Sequence, residues 1–140
     1  MSEIRIVRDY PHPPAKVWRA VTDPALIPLW TATGAGGRPE GFAPVVGTKF
    51  TFIAKPKPGW NGVVDCEVLA VEPNRELSYT WGALGAHTVV TLTLTPTSTG
   101  THLRMEQTGF PADRPQNFQG AKFGWQKFLA NLEQVVARKD

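Results

Sequence analysis

The chain has 140 residues, a length that fits one ordinary domain and leaves no room for a second core of useful size. Hydrophobic residues make up 41% and charged residues 19%, which excludes disorder as an overall description. The net charge of +3 is too small an excess of basic residues to indicate a nucleic-acid partner. The single cysteine, Cys66, excludes an internal disulfide and any multi-cysteine metal site. No apolar segment has the length of a signal peptide or a membrane span, so we expect a cytoplasmic protein without membrane contact.

The first part of the chain predicts one strand followed by two short helices. Pro14 is suited to the first position of a helix, and Val17, Trp18 and Val21 then share one stripe. Asp23, which is followed by Pro24, marks the start of the next helix. The segment that follows is rich in glycine and proline without periodicity, which predicts a loop. The predicted strand, helices and loop cover Glu3–Tyr10, Ala15–Thr22, Ala25–Trp30 and Thr31–Val46.

The middle of the chain predicts five strands separated by turn residues, and its end predicts a long helix. The strands cover Gly47–Ala54, Gly62–Val71, Glu76–Trp81, Thr88–Thr95 and Thr101–Thr108. Apolar residues then recur every three or four positions, which predicts one amphipathic helix from about Gln116 to near Lys139. The order β-α-α-β-β-β-β-β-α predicts an α+β fold. In it, a six-stranded curved antiparallel sheet wraps around the long C-terminal helix, with two short helices after the first strand.

Motifs along most of the chain resemble one known family in their order and spacing. They are Pro13–Pro24 with its Thr-Asp-Pro break, Leu29-Trp30, Asn61–Val64, Leu77–Trp81, Gly100–Leu103, Gly109–Pro111 and Gly124-Trp125. The pattern is similar to the helix-grip fold of the START-like (SRPBCC) superfamily, and closest to its branch of activators of the heat-shock protein 90 ATPase. It departs from that pattern at Val46-Gly47, where relatives often have a Gly-Gly pair. The resemblance implies a single domain over residues 1–140 with an apolar cavity between sheet and C-terminal helix. In many members a small hydrophobic molecule occupies that cavity, but the fold implies no single reaction.

Aromatic and polar residues on the predicted inner face of the sheet are the candidates for a binding site. An apolar wall with a few polar groups is typical of small-molecule sites, although each ring alone is also what a core requires. Gln107 or His87 would supply a polar anchor, while an exposed loop position is the simpler interpretation of His87. The candidate ligand-binding residues are Trp30, Phe52, Trp60, Tyr79, Trp81, His87, Met105, Gln107, Phe123 and Phe128.

Catalytic and metal-binding patterns have little support in this sequence. Asp65 and Glu67 share one side of a strand, as an acid–base pair would, but the alternation favours a solvated outer face with ion pairs to Arg104 or Lys49. Cys66 alternates with apolar neighbours, which is typical of a small buried residue. The sequence contains no nucleophile elbow, Walker loop or dinucleotide fingerprint, and its three histidines are scattered. We therefore expect no metal and no cofactor, and the sequence identifies no catalytic residue.

The preferred hypothesis is the binding of a small hydrophobic molecule between the sheet and the C-terminal helix. A cyclase- or dehydratase-like enzyme acting on a polyketide-type substrate is one alternative, and it requires a titratable residue inside the cavity. A chaperone-activator-like interaction module is the other. The resemblance supports it less, since that activity belongs to longer proteins with an additional domain. The sequence leaves a homodimer open and does not identify the ligand.

Overall fold

Strands and helices follow one another in nearly the predicted order. The computed structural model describes residues 2–31, 38–56, 58, 61–83, 86–110 and 115–138. Their elements are β1 Ser2–Tyr10, α1 Pro14–Thr22, α2 Ile27–Thr31, β2 Arg38–Glu40, β3 Lys49–Ile53, β4 Val63–Glu72, β5 Glu76–Ala83, β6 Ala86–Pro96, β7 Thr101–Phe110 and α3 Pro115–Val136. Trp60, one of the predicted ligand-binding residues, lies outside the described residues.

Within the described residues, seven antiparallel strands form one curved sheet in the order β1-β7-β6-β5-β4-β3-β2. The prediction of six strands was wrong because β2 lies in the segment predicted as a loop. β2 pairs with β3 from Arg38 opposite Ile53 to Glu40 opposite Thr51. Its three residues are too few to show alternation, and Pro39 at its centre is typical of a loop. An edge strand tolerates proline because one side of its backbone needs no partner strand.

The core lies between one face of the sheet, the inner face, and the helices. β7 illustrates the alternation, since Leu103, Met105 and Gln107 are buried while the residues between them are not. α3 supplies the opposite side through Trp125 and Leu129 and packs on α2, β1 and α1. The described helices include none that is both long and apolar enough to cross a bilayer.

Hydrogen bonds from side chain to backbone join the elements that surround this core. The Tyr10 hydroxyl donates to the Leu129 carbonyl at 2.9 Å, which links β1 to α3. The Trp30 indole N–H donates to the Ala20 carbonyl at 2.9 Å, which links α2 to α1. These bonds satisfy polar groups that burial would otherwise leave unpaired, so they hold the helices in one position over the sheet.

Candidate functional site

Eight aromatic residues on the inner side of the fold form what we call the inner aromatic cluster. Its members are Trp30, Phe42, Phe50, Phe52, Tyr79, Trp81, Trp125 and Phe128. The period of two along a strand places Phe50 with Phe52 on β3 and Tyr79 with Trp81 on β5. The helical period places Trp125 and Phe128 on the stripe of α3 that faces them.

The cluster has a sheet half and a helix half, which meet at one pair of indole rings. In the sheet half, ring centroids of Phe50 and Tyr79 lie 5.4 Å apart and those of Phe52 and Trp81 lie 5.1 Å apart. In the helix half, Trp125 contacts Phe128 edge-to-face at 5.4 Å. Trp81 and Trp125 join the two halves at 5.7 Å. Contact across the gap between β5 and α3 is therefore made by side-chain rings.

A chain of buried hydrogen bonds runs beside these rings from α3 to β5. The Trp125 indole N–H donates to Gln107 Oε1 at 2.9 Å, and Gln107 Nε2 donates to Thr88 Oγ1 at 2.8 Å. Thr88 Oγ1 in turn donates to the Trp81 carbonyl at 2.8 Å. Gln107 is 0% exposed, so these bonds supply partners that water cannot. Gln107, the predicted polar anchor, therefore uses its side-chain carbonyl and one of its two N–H hydrogens in hydrogen bonds within the protein.

Tyr79 differs from Gln107 because its hydroxyl has no partner in the described part of the chain. The side chain is 3% exposed, and none of the residues that the structure describes forms a hydrogen bond with its hydroxyl. Burial raises the pKa of Tyr79 above its ordinary range, and the nearby Cys66 thiol adds to the effect. The pKa of Cys66 is also raised, first by burial and then by Asp65. Both groups therefore keep their protons at neutral pH.

The predicted ligand-binding residues fall into three groups in the structure. Trp30, Phe52, Tyr79, Met105 and Gln107 are buried on the inner side, and Trp81 and Phe128 are partly buried against the same core.

Two predicted residues lie away from this group. Phe123 is 56% exposed because it lies on the face of α3 opposite Trp125. Its ring centroid is 4.5 Å from Lys127 Nζ. His87 is exposed on the outer face of the sheet, the face turned away from α3, because it is one residue out of phase with Thr88. Neither residue is a neighbour of the inner rings, so the structure does not bring these two predicted residues to the inner site.

Four contributors to the inner site were absent from the predicted set, and one of them, Phe50, could have been found from its alternation with Phe52. Trp125 could have been found from its helical spacing to Phe128, and Thr88 from its alternation with Val90. Phe42 contacts Phe50 at 5.0 Å but lies in the segment predicted as a loop, where no periodicity identifies a buried ring.

The outer face of the sheet carries a separate groove of about 740 Å³. Gly82 of β5 pairs with Asp65 of β4 on one side and with His87 of β6 on the other. Because glycine has no side chain, the surface between Asp65 and His87 is recessed. The groove is lined by Glu40, Lys49, Thr51, Asn61, Val63, Asp65, Glu67, Thr80, Gly82, His87 and Val89. It is also bordered by Phe50, Cys66, Trp81 and Thr88, whose side chains lie on the inner face of the same strands. Its side chains are mostly polar or charged, so it is a different environment from the inner face.

The acidic residues of the outer face do not form the predicted ion pairs. Glu67 lies opposite Lys49 in the ladder, but no ion pair joins them among the described side chains. Arg104 instead pairs with Glu106 at 3.0 Å, its neighbour on the same face of β7. Across the described ranges, no group of three or more His, Cys, Asp or Glu side chains is arranged to hold a metal ion.

Solved structures similar to this chain match almost its whole length. Protein MLL2253 of Mesorhizobium loti is 47% identical with a TM-score of 0.88, and the match covers 99% of each chain. Protein CV1439 of Chromobacterium violaceum is 26% identical with a TM-score of 0.80, over 99% of this chain and 100% of that one. DynU16, from the dynemicin biosynthetic locus, is 26% identical with a TM-score of 0.75, over 97% of this chain and 47% of that one. No curated protein matches the chain.

The family described as "Activator of Hsp90 ATPase homolog 1-like protein" matches residues 11–137. That range runs from the end of β1 to the end of α3 and contains the whole inner aromatic cluster. The sheet and terminal helix also agree with the helix-grip fold that the resemblance implied. The chain therefore belongs to the family of activator of Hsp90 ATPase homolog 1-like proteins.

Proposed function

We propose that the protein binds a small, mainly apolar molecule between the sheet and α3, where Trp81 meets Trp125. The observation that carries this proposal is the partial exposure of Trp81 and Phe128, in a cluster whose other rings are buried. Large rings that are partly exposed to solvent and packed against a buried aromatic wall are typical of small-molecule sites.

The packing of α3 supports this position for the site. The helix packs on α2, β1 and α1, and it reaches β5 through the Trp81 and Trp125 side chains. Side chains change rotamer far more readily than packed elements separate, so a ligand can take the place of ring–ring contact there without disturbing the rest of the core.

The relatives supply a second, weaker line of support. DynU16 is named for a biosynthetic locus, and such loci make small molecules. An aromatic inner face in a chain of the same fold fits a role in holding such a molecule, although a shared fold is only an analogy for function.

The structure gives less support to an enzyme of the cyclase or dehydratase kind. On the inner face of β3 to β7, the titratable side chains among the described residues are Tyr79 and Cys66, and burial raises the pKa of both. Acid–base catalysis works best with a group whose pKa lies near the working pH, so neither is suited to be a general base. Binding without catalysis is the simpler function for this face.

Titration with prodan, an uncharged naphthalene ketone whose emission shifts in apolar surroundings, tests the proposal. We expect a saturable blue shift with one site per chain. In Trp81→Ala the affinity should fall about tenfold or more, because a central ring of the site is lost. Phe123→Ala removes a ring from the exposed face of α3 and should leave the affinity unchanged. Circular dichroism at the titration temperature checks that each variant is folded.

Two results would count against this site. One is the absence of any saturable shift with the unmodified protein. The other is an equal loss of affinity in the folded Trp81→Ala and Phe123→Ala variants, which would move binding away from the inner face.

A further inference from the structure

The two tyrosines of the chain are both buried, and they differ in their hydrogen bonding. Tyr10 donates to the Leu129 carbonyl at 2.9 Å, as a buried hydroxyl normally does. Tyr79 is buried to the same degree beside Phe50 and Phe52, yet it has no hydrogen-bond partner within the described part of the chain. A buried hydroxyl without a partner is unfavourable, so its presence on the inner face of the sheet needs an explanation.

Two further side chains on the same face of the sheet as Tyr79 have a donor hydrogen without an acceptor among the described residues. The indole N–H of Trp81, two residues along the same face of β5, has no protein acceptor among the described residues. Gln107 Nε2 uses one hydrogen for Thr88 and has a second one to spare. The wall therefore presents O–H and N–H donors and offers no free side-chain carbonyl, because Gln107 Oε1 already accepts from Trp125.

Among the described residues, the same wall carries no charged side chain. All buried side chains on the described inner face of β3 to β7 are apolar or uncharged polar groups. The acidic and basic side chains of those strands, such as Lys49, Asp65 and Arg104, lie on the outer face. A ligand that brought a carboxylate or an ammonium group to this depth would lose its hydration without gaining an opposite charge.

We infer that the ligand has an uncharged buried part and carries a carbonyl-type oxygen that accepts a hydrogen bond from the Tyr79 hydroxyl. This inference rests on the proposed function, because it names the chemistry of the molecule held at that same site. A ketone, ester or amide oxygen has lone pairs and no donor hydrogen, so it complements a wall of donors. A ligand offering only a donor would leave the Tyr79 hydrogen unpaired.

Three naphthalenes of similar shape test the inference: 2-acetylnaphthalene, 2-naphthoate and 2-ethylnaphthalene. Their affinities for the unmodified protein are measured by quenching of tryptophan fluorescence. We expect the ketone to bind about five- to tenfold more tightly than the hydrocarbon, the range of one hydrogen bond. The carboxylate should bind most weakly at neutral pH.

Tyr79→Phe identifies the donor. The variant keeps the ring and should remain folded with an unchanged or higher Tm, since it removes an unpaired polar group. We expect the ketone to lose its advantage over 2-ethylnaphthalene, while the affinity for 2-ethylnaphthalene itself does not fall. Tyr10→Phe removes the other buried hydroxyl, which is bonded to α3, and should leave the ratio of the two affinities unchanged.

The outcomes separate the inference from the proposed function. If none of the three compounds binds, the proposed function fails and the inference fails with it. If they bind but 2-naphthoate equals the ketone, or if the ketone keeps its advantage in Tyr79→Phe, the inference is overturned while the binding site stands.

Discussion

Gln107 and Thr88 are buried polar residues whose hydrogen bonds hold four elements together, α3, β7, β6 and β5. Gln107 accepts from the Trp125 indole and donates to Thr88, so it fixes one ring of the inner aromatic cluster relative to the sheet. Such a network fixes side-chain orientation because each member is satisfied by the next. The orientation of Trp125 at the proposed site thus depends on Gln107, a residue of β7 whose side chain faces α3.

Replacement of this glutamine tests the network. Gln107→Leu keeps a similar volume but leaves the Trp125 N–H buried without an acceptor. We expect the free energy of unfolding in urea to fall by about 1–3 kcal/mol. Gln126→Leu, at an exposed position on α3, should change it by less than about 0.5 kcal/mol. Equal stability of the two variants would mean that the buried hydrogen bonds contribute nothing net.

At the scale of elements, the turn between β3 and β4 depends on Gly62. Its φ of +83° lies in the left-handed region, and an added Cβ would collide with the Ala54 carbonyl group. The Ala54 N–H also donates to the Gly62 carbonyl at 2.7 Å, so the two backbones cannot move apart without losing that bond. This close approach sets the register in which Phe52 faces Val64 across the two strands.

A pair of glycine substitutions tests this turn. Gly62→Ala should lower the free energy of unfolding by about 2 kcal/mol or more, through left-handed strain and the collision with Ala54. Gly124→Ala is the matched control, because an added Cβ in this part of α3 meets no described atom within 4 Å. That change should raise stability by up to about 1 kcal/mol, since alanine favours a helix interior. Stability is measured by thermal and urea denaturation. If both substitutions changed the free energy of unfolding in the same direction, the special role of Gly62 in this turn would be contradicted.

The elements that the sequence predicted well are those with a strong period. Alternation in β7 and helical spacing around Trp125 identify their buried faces, because the physical cause of each pattern is local. β2 was missed since Pro39 and a length of three residues remove any period. The lack of a described partner for the Tyr79 hydroxyl and the pairing of the Gln107 carbonyl with Trp125 could not be predicted either. Each depends on which side chains other strands and α3 bring alongside, and a single sequence does not contain that information.

Across the whole molecule, three groups hold their protons because the fold removes them from water. Burial is the main cause of the raised pKa of Tyr10, Cys66 and Tyr79. In the unfolded chain, tyrosine has a pKa of about 10 and cysteine about 8.5. The contribution of these groups to stability is therefore complete below about pH 8. It is lost as the pH rises, because the unfolded chain releases protons that the folded protein retains.

Alkaline titration measures this linkage directly, because Tyr10 and Tyr79 are the only tyrosines of the 140-residue chain. We expect little tyrosinate absorbance at pH 10 in the folded protein, followed by a rise that coincides with unfolding. Above pH 10 each buried tyrosine lowers the free energy of unfolding by about 1.4 kcal/mol per pH unit, so Tyr79→Phe should show a shallower decline by that amount. The comparison of the two proteins isolates the contribution of this one hydroxyl, because the variant differs from the unmodified protein at no other group. A different result would be that half of the tyrosinate signal appears near pH 10 without unfolding and is absent in Tyr79→Phe. That result would mean that water reaches Tyr79 in the folded protein.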